Sequence, residues 1–283
     1  MILLLGFILS LGSVARGQPG GDTWRDLPEG NFDRTLLSAR DKRLLDESRF
    51  GWQHAETQHF VLHFERKDFA QRVGRMAEFF YQYISDDLKG LSDRAPGKSH
   101  IFIFRNSRQW DRFMEVAEVG ALEWAFSMVA GTSMYLQQAG STSQSGEVLG
   151  HEMTHMVFNR FLPGRIPLWL NEGLAEWYGE FAYSAMKGVG KSSRSVFRGF
   201  RDHTPLPELL SAKMYPSDRR EISRFYRSSQ FLVGYLLLEF PHEQMVGLLM
   251  DASSGKPATE ALLARYGFAS VEELDRAFRR FLR

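Results

Sequence analysis

Apolar residues along this chain recur with two different periods, and the changeovers between them mark out its elements. Phe69 to Leu88 carries Val73, Met76, Phe80 and Ile84 at helical spacing, which predicts a helix with one buried side. His59 to Glu65 and Ser99 to Arg105 are short apolar runs that predict strands on either side of it, and Thr132 to Gln138 predicts a third. Asn106 to Val119 reads as a helix between the second and third strands. Phe32 to Phe50 sets Leu36, Leu37, Leu44 and Leu45 among charges, the pattern of a surface-packed helix.

From Val148 onward the apolar positions thicken. Val148, Leu149, Met153, Met156, Val157 and Phe158 predict a helix inside a core, which Pro163-Gly164 ends. Pro167, with its fixed φ, then opens another helix, so the two form a helical hairpin. Beyond the Pro205-Leu206-Pro207 breaker, Arg224 to Phe240 carries Phe231, Leu232, Tyr235, Leu236 and Leu238 and reads as a buried helix. Ser270 and Glu273 make a capping box for a last helix ending in Phe278, Phe281 and Leu282. The expected fold is α+β: a small mixed sheet with packed helices, then an all-helical C-terminal lobe.

Composition narrows the chemistry. The chain of 283 residues is 43% apolar and 13% aromatic, ample for a packed core in one or two domains. Its net charge of +1, with no long block of either sign, gives no reason to expect nucleic acid or an anionic membrane as partner. There are no cysteines, which removes disulfides, thiol nucleophiles and thiolate-bound metals and leaves histidine and carboxylate chemistry. Met1 to Leu11 is apolar and is followed by Gly12, Ser13 and Ala15, so residues 1–17 read as a signal peptide, although no lysine or arginine precedes the run. The run is shorter than the roughly 20 residues of a membrane helix. The expectation is an exported protein, periplasmic or extracellular, with no stable membrane span after signal removal. Gln18 to Gly30, rich in Gly, Pro, Asp and Glu, reads as a linker. No pattern specifies an oligomeric state.

The chemistry concentrates in His151-Glu152-Met153-Thr154-His155. On a helix, positions four apart share a face with Cβ atoms about 5–6 Å apart, so both imidazoles can reach one metal ion. Glu152 is one step round and cannot join them as a ligand, yet it can take a proton from an activated water, the general-base role in HExxH. Glu172, with sixteen residues between it and His155, lies on the returning helix and can approach from the other side as third ligand. Two neutral nitrogens and one carboxylate leave a fourth position open, as in a catalytic zinc site. Glu176 follows one helical turn later and is placed to accept the second N–H of a ligating histidine. Gly173 reads as the residue that lets the two helices approach.

HExxH followed by Asn171-Glu172-Gly173-Leu174-Ala175-Glu176 resembles the gluzincins, the zinc peptidases that include thermolysin and the zinc aminopeptidases. The layout of the whole chain is similar to small bacterial peptidase-MA-like proteins. The resemblance runs loosely over residues 55–283, with specific motifs only in 147–178. It implies one Zn²⁺ held by His151, His155 and Glu172, Glu152 as base, Glu176 behind the ligands, and a peptide or protein as substrate. It also implies a zincin-like organisation: 18–54 as linker and N-terminal helix, 55–195 as the α+β catalytic subdomain, and 196–283 as the helical lobe. The function expected is a metallopeptidase, an endopeptidase or short-peptide hydrolase. The alternatives are a catalytically silent peptide-binding module that keeps the metal site, and an aminopeptidase.

The readings of Tyr226, of the substrate strand and of the amine anchor follow from the resemblance, and the others from the residues themselves. Tyr226, with Ser229 three residues on, is the expected oxyanion donor, ahead of His203 and His242. Ser133-Met134-Tyr135-Leu136 is the candidate edge strand for substrate, against the reading of an internal strand. Gly120 to Trp124 is similar to the amine-binding stretch of zinc aminopeptidases, with Trp124 where that stretch has Asn; Glu123 is either an amine anchor or a solvated carboxylate. Ser145 is the expected N-cap of the first motif helix. Lys187 to Ser195 is either a lid or a plain connection. His59 and His63 lie in a strand, where the spacing does not bring both rings to one site, and they read as structural.

Overall fold

The computed structural model describes residues 24–28, 30–118, 126–138, 142–189, 197 and 202–283. Residues 1–17, read as a signal peptide, the expected linker as far as residue 23, Glu123, and the part beyond Val189 of the segment read as a lid or plain connection lie outside these residues. Among the described residues, one mixed sheet of six strands runs in the order β1-β2-β3-β4-β6-β5. Its strands are β1 (Arg25–Leu27), β2 (Gln53–Glu56), β3 (Phe60–Phe64), β4 (Ser99–Phe104), β5 (Ser127–Ala130) and β6 (Ser133–Gln137). The central pairs β3/β4 and β4/β6 are parallel; the outer pairs β1/β2, β2/β3 and β5/β6 are antiparallel.

Alternation along the strands sorts side chains onto two faces. Phe60, Leu62 and Phe64 of β3, Ile101 and Ile103 of β4, and Met134 and Leu136 of β6 join one large core. That core is closed by α2 (Lys67–Asp87), α4 (Thr142–Phe161) and α5 (Leu168–Met186). Phe102, Phe104 and Tyr135 point the other way, into a smaller aromatic cluster under α1 (Ala39–Asp46) and α3 (Ser107–Val116), with Leu44, Trp110 and Phe113. Each fully buried side chain of this size contributes roughly 1.5–3 kcal/mol.

Asp41 joins α1 to the sheet. It is the N3 residue of a capping box with Ser38, and its buried carboxylate also accepts from Tyr135 Oη at 2.6 Å and Ser133 Oγ at 3.1 Å. Beside it, three buried imidazoles lie in a row across β2, β3 and β4. His54 Nδ1 meets His63 Nδ1 at 2.8 Å, and His63 Nε2 meets His100 Nδ1 at 2.9 Å, with the Phe32 ring against all three.

The remaining helices are α6 (Leu206–Ser211), α7 (Arg219–Glu239), α8 (His242–Ser253), α9 (Ala258–Tyr266) and α10 (Val271–Phe281). Among the described residues, everything after α5 is helical or loop, and no helix is long and apolar enough to cross a membrane. Arg160, near the end of α4, is buried and donates to Asp93 at 2.7 Å, Ser99 Oγ at 2.9 Å and Gly97 O at 2.9 Å, which pins α4 to the approach to β4.

Several sequence expectations change in detail. Residues 25–27, expected in the linker, form an edge strand by pairing with β2, itself unforeseen. The helix expected over 32–50 shortens to α1. The strand 133–137 is internal, held between β4 and β5, so Ser133 to Leu136 offers no free edge; that edge belongs to β5. Ser145 falls inside α4 and is not its cap, because the helix already begins at Thr142.

Candidate metal centre

The two motif helices run antiparallel, as their contacts show: Gly150 meets Gly179, His151 meets Glu176, and His155 meets Asn171. At the Gly150–Gly179 crossing the backbones touch. A Cβ at Gly179 would sit 2.9 Å from Glu147 O, and one at Gly150 would sit 3.1 Å from Gly179 Cα. Gly173 has a different neighbour from the one expected. A Cβ there would meet Ser229 O at 2.5 Å, so Gly173 admits α7, not α4.

This close packing brings three ligand atoms together. His151 Nε2 and His155 Nε2 are 3.1 Å apart, and Glu172 Oε2 lies 3.4 Å from the first and 3.6 Å from the second. Tetrahedral zinc, with bonds of about 2.0–2.2 Å, sets its ligand atoms about 3.3–3.5 Å apart. The three separations bracket that value, so the donor set fits a small divalent cation. Among the described residues it is the one His/Cys/Asp/Glu group of three or more with ligand atoms all within 4.8 Å of one another.

Each ligand is oriented from behind. His151 Nδ1 faces Glu176 Oε1 at 3.1 Å, and His155 Nδ1 faces Asn171 Oδ1 at 3.2 Å. Two Nδ1–H donors leave both Nε2 lone pairs aimed at the common point. Burial disfavours charge on His151, but hydrogen bonds to Glu172 and Glu176 outweigh it and push the ring up to about 10. Burial alone would raise Glu172, yet its bonds with His151 and His155 hold the carboxyl well below the usual range. A proton and a metal ion therefore compete for the same lone pair. Glu172 is 2% exposed, so its charge depends on these partners.

Glu152 stands apart from the triangle. Its Oε1 accepts from Ser127 Oγ at 2.8 Å, and Ser127 is the first residue of the edge strand β5. Both line a cleft of about 500 Å³ that also exposes His151, Glu176 and Tyr226. The Tyr226 ring centroid is 6.2 Å from that of His151. Tyr215 is closer in bonding terms, its Oη donating to Glu172 Oε1 at 2.7 Å. Burial and the Glu172 charge push both phenols up, so each stays a donor at neutral pH.

No family model and no curated protein matches this chain. What can be said of the site therefore rests on its own geometry.

The structure brings His151, Glu152, Glu176 and Tyr226 to the lining of one cleft, with His155 and Glu172 in contact with His151. It places His203 beside Phe278 and His242 beside Asp87, each in the helical lobe and away from this group. Sequence reasoning missed Ser127, Asn171 and Tyr215. Asn171 lay within the motif itself, next to Glu172, and was open to discovery. Ser127 and Tyr215 carry no local signal, since each reaches the site by chain folding from a separate segment.

Proposed function

We propose that this chain is a zincin-like metallopeptidase that hydrolyses peptide bonds with zinc as its cation. The observation that carries the reading is that His151, His155 and Glu172 converge beside a second, separate carboxylate, Glu152, which lines the same cleft as His151. A purely structural metal site closes its ligand set and needs no base next to it. Two imidazoles and a carboxylate suit zinc.

When bound, the cation would polarise the scissile carbonyl and acidify the attacking water toward a pKa of about 7. Glu152 takes the proton of that water and delivers it to the leaving amine. Ser127 fixes one Glu152 oxygen, which leaves the other for proton transfer. Tyr226, across the cleft, supplies a hydroxyl to the developing oxyanion. β5, the last strand of the described sheet, offers its outer edge to an extended peptide, and Ser127 links that edge to the base. Export accompanies this reading, supported by the apolar Met1 to Leu11 run; N-terminal sequencing of mature protein that still begins at Met1 would remove it.

The test pairs zinc stoichiometry with hydrolysis of a mixed peptide library by wild type and Glu152→Gln. One equivalent of zinc is expected in both proteins, with hydrolysis reduced about 10²–10⁴-fold in the variant. Undiminished hydrolysis by Glu152→Gln would refute the base assignment. Zinc and peptide binding without turnover would identify a silent module, stepwise release of N-terminal residues an aminopeptidase, and absence of zinc would end the proposal.

A further inference from the structure

The two oxygens of Glu172 have different neighbours. Oε2 faces the imidazole nitrogens, whereas Oε1 accepts from Tyr215 Oη at 2.7 Å and from Asn171 Nδ2 at 3.3 Å. Asn171 is already committed through Oδ1 to His155, and at 3.3 Å its amide is the weaker donor. Tyr215 has no other assigned role. It comes from the connection between α6 and α7, and its ring is held by Tyr226, stacked at 6.0 Å, and by the edge of Phe225 at 6.4 Å.

We infer that Tyr215 is a positioning residue of the metal centre: its hydroxyl occupies Oε1 of Glu172, so that the carboxylate presents Oε2 alone to the cation. The inference rests on the metal-centre reading of His151, His155 and Glu172. Its physical basis is the asymmetry of a buried carboxylate. At a site 2% exposed, an oxygen left with only the long Asn171 contact would regain its lost bonding by turning toward any nearby positive charge. The Tyr215 hydroxyl removes that incentive and holds the carboxylate plane at one angle. Partners behind a metal ligand typically change metal affinity by about 10–100-fold. Tyr215 is itself 49% exposed, which makes removal of its hydroxyl a mild perturbation of packing.

Tyr215→Phe deletes only that hydroxyl. Met214→Ala, next to it and 81% exposed, controls for disturbance of the connection. Two readouts independent of turnover are the zinc dissociation constant by chelator competition and the visible absorption of the Co²⁺-loaded protein, whose intensity falls as coordination number rises. Tyr215→Phe is expected to weaken zinc about 10–100-fold and to dim the cobalt bands, with Met214→Ala like wild type. Unchanged affinity and spectrum in Tyr215→Phe would overturn the inference while leaving the metal centre standing. Equal losses in both variants would assign the effect to the connection and overturn it too. If wild type failed to bind zinc or cobalt stoichiometrically, the metal-centre reading would fall first and this inference with it.

Discussion

The molecule has two groups of histidines, one on each side of its sheet, and they use the same side chain in opposite ways. On the helical side, His151 and His155 turn their Nε2 atoms to one point, with carboxylates in front and behind. On the other side, His54, His63 and His100 are strung out in a line, His63 using both its nitrogens on its two neighbours, beside the ring of Phe32. The first group has acids that stabilise positive charge. In the second, burial, the neighbouring imidazoles and Arg34 hold His63 well below the ordinary value, and burial brings His100 to about 4 despite Asp41 and Asp33 nearby. Convergence with acids suits a cation, whereas a buried row beside an aromatic ring disfavours charge. Counting histidines would not tell them apart.

The sharpest way to break this comparison is to remove one ring from each group. His155→Ala should reduce zinc affinity by more than the roughly 100-fold associated with partners behind the ligands, whereas His63→Ala should leave it unchanged; chelator competition measures both. In stability the order reverses. His63 is 0% exposed, and His63→Ala should cost about 2–4 kcal/mol in urea unfolding of the metal-free protein, through a cavity and two imidazoles left short of a partner.

Acid should sharpen the contrast further. His63 and His100 have folded-state values below the 6.5 they regain on unfolding, so between those values the unfolded chain binds more protons. Stability contributed by the row is full above about pH 6.5 and falls as pH drops toward about 4, by roughly 1–3 kcal/mol. Urea midpoints of metal-free wild type at pH 7 and pH 5 read this directly, and His63→Phe should flatten the decline; a wild-type midpoint independent of pH in this window would refute it. The smallest effect belongs to Ser127→Ala, which frees one oxygen of Glu152. Loss of about 1 kcal/mol of orientation should lower peptide hydrolysis several-fold without altering zinc stoichiometry.

The legible parts of the site were those written within one helix or one short hairpin. His151, Glu152 and His155 are fixed relative to one another by helical spacing, and the breaks at Pro163-Gly164 and Pro167 show that the next helix must return past them. Glu176 follows from Glu172 by the same spacing. Ser127 and Tyr215 could not be found that way. Ser127 reaches Glu152 because β5 pairs outside β6, and strand order is a long-range outcome that the four residues of β5 do not encode. Tyr215 sits in a connection with no periodicity. The internal position of Ser133 to Leu136 was missed for the same reason: an apolar strand pattern says that a strand is covered, not what lies beside it. The row of His54, His63 and His100 depends on register across three strands, although the reading of His63 as structural agrees with its place there.

The Gly150–Gly179 crossing would limit the size of ion that the proposed site accepts. Where side chains separate two helices, a larger guest can be accommodated by repacking rotamers. Here main chain lies on main chain, so the gap between the imidazole-bearing rod and the acid-bearing rod is set by atomic radii that do not yield. At a loaded site the hairpin would act as a caliper: an ion too wide for it would have to pry two backbones apart.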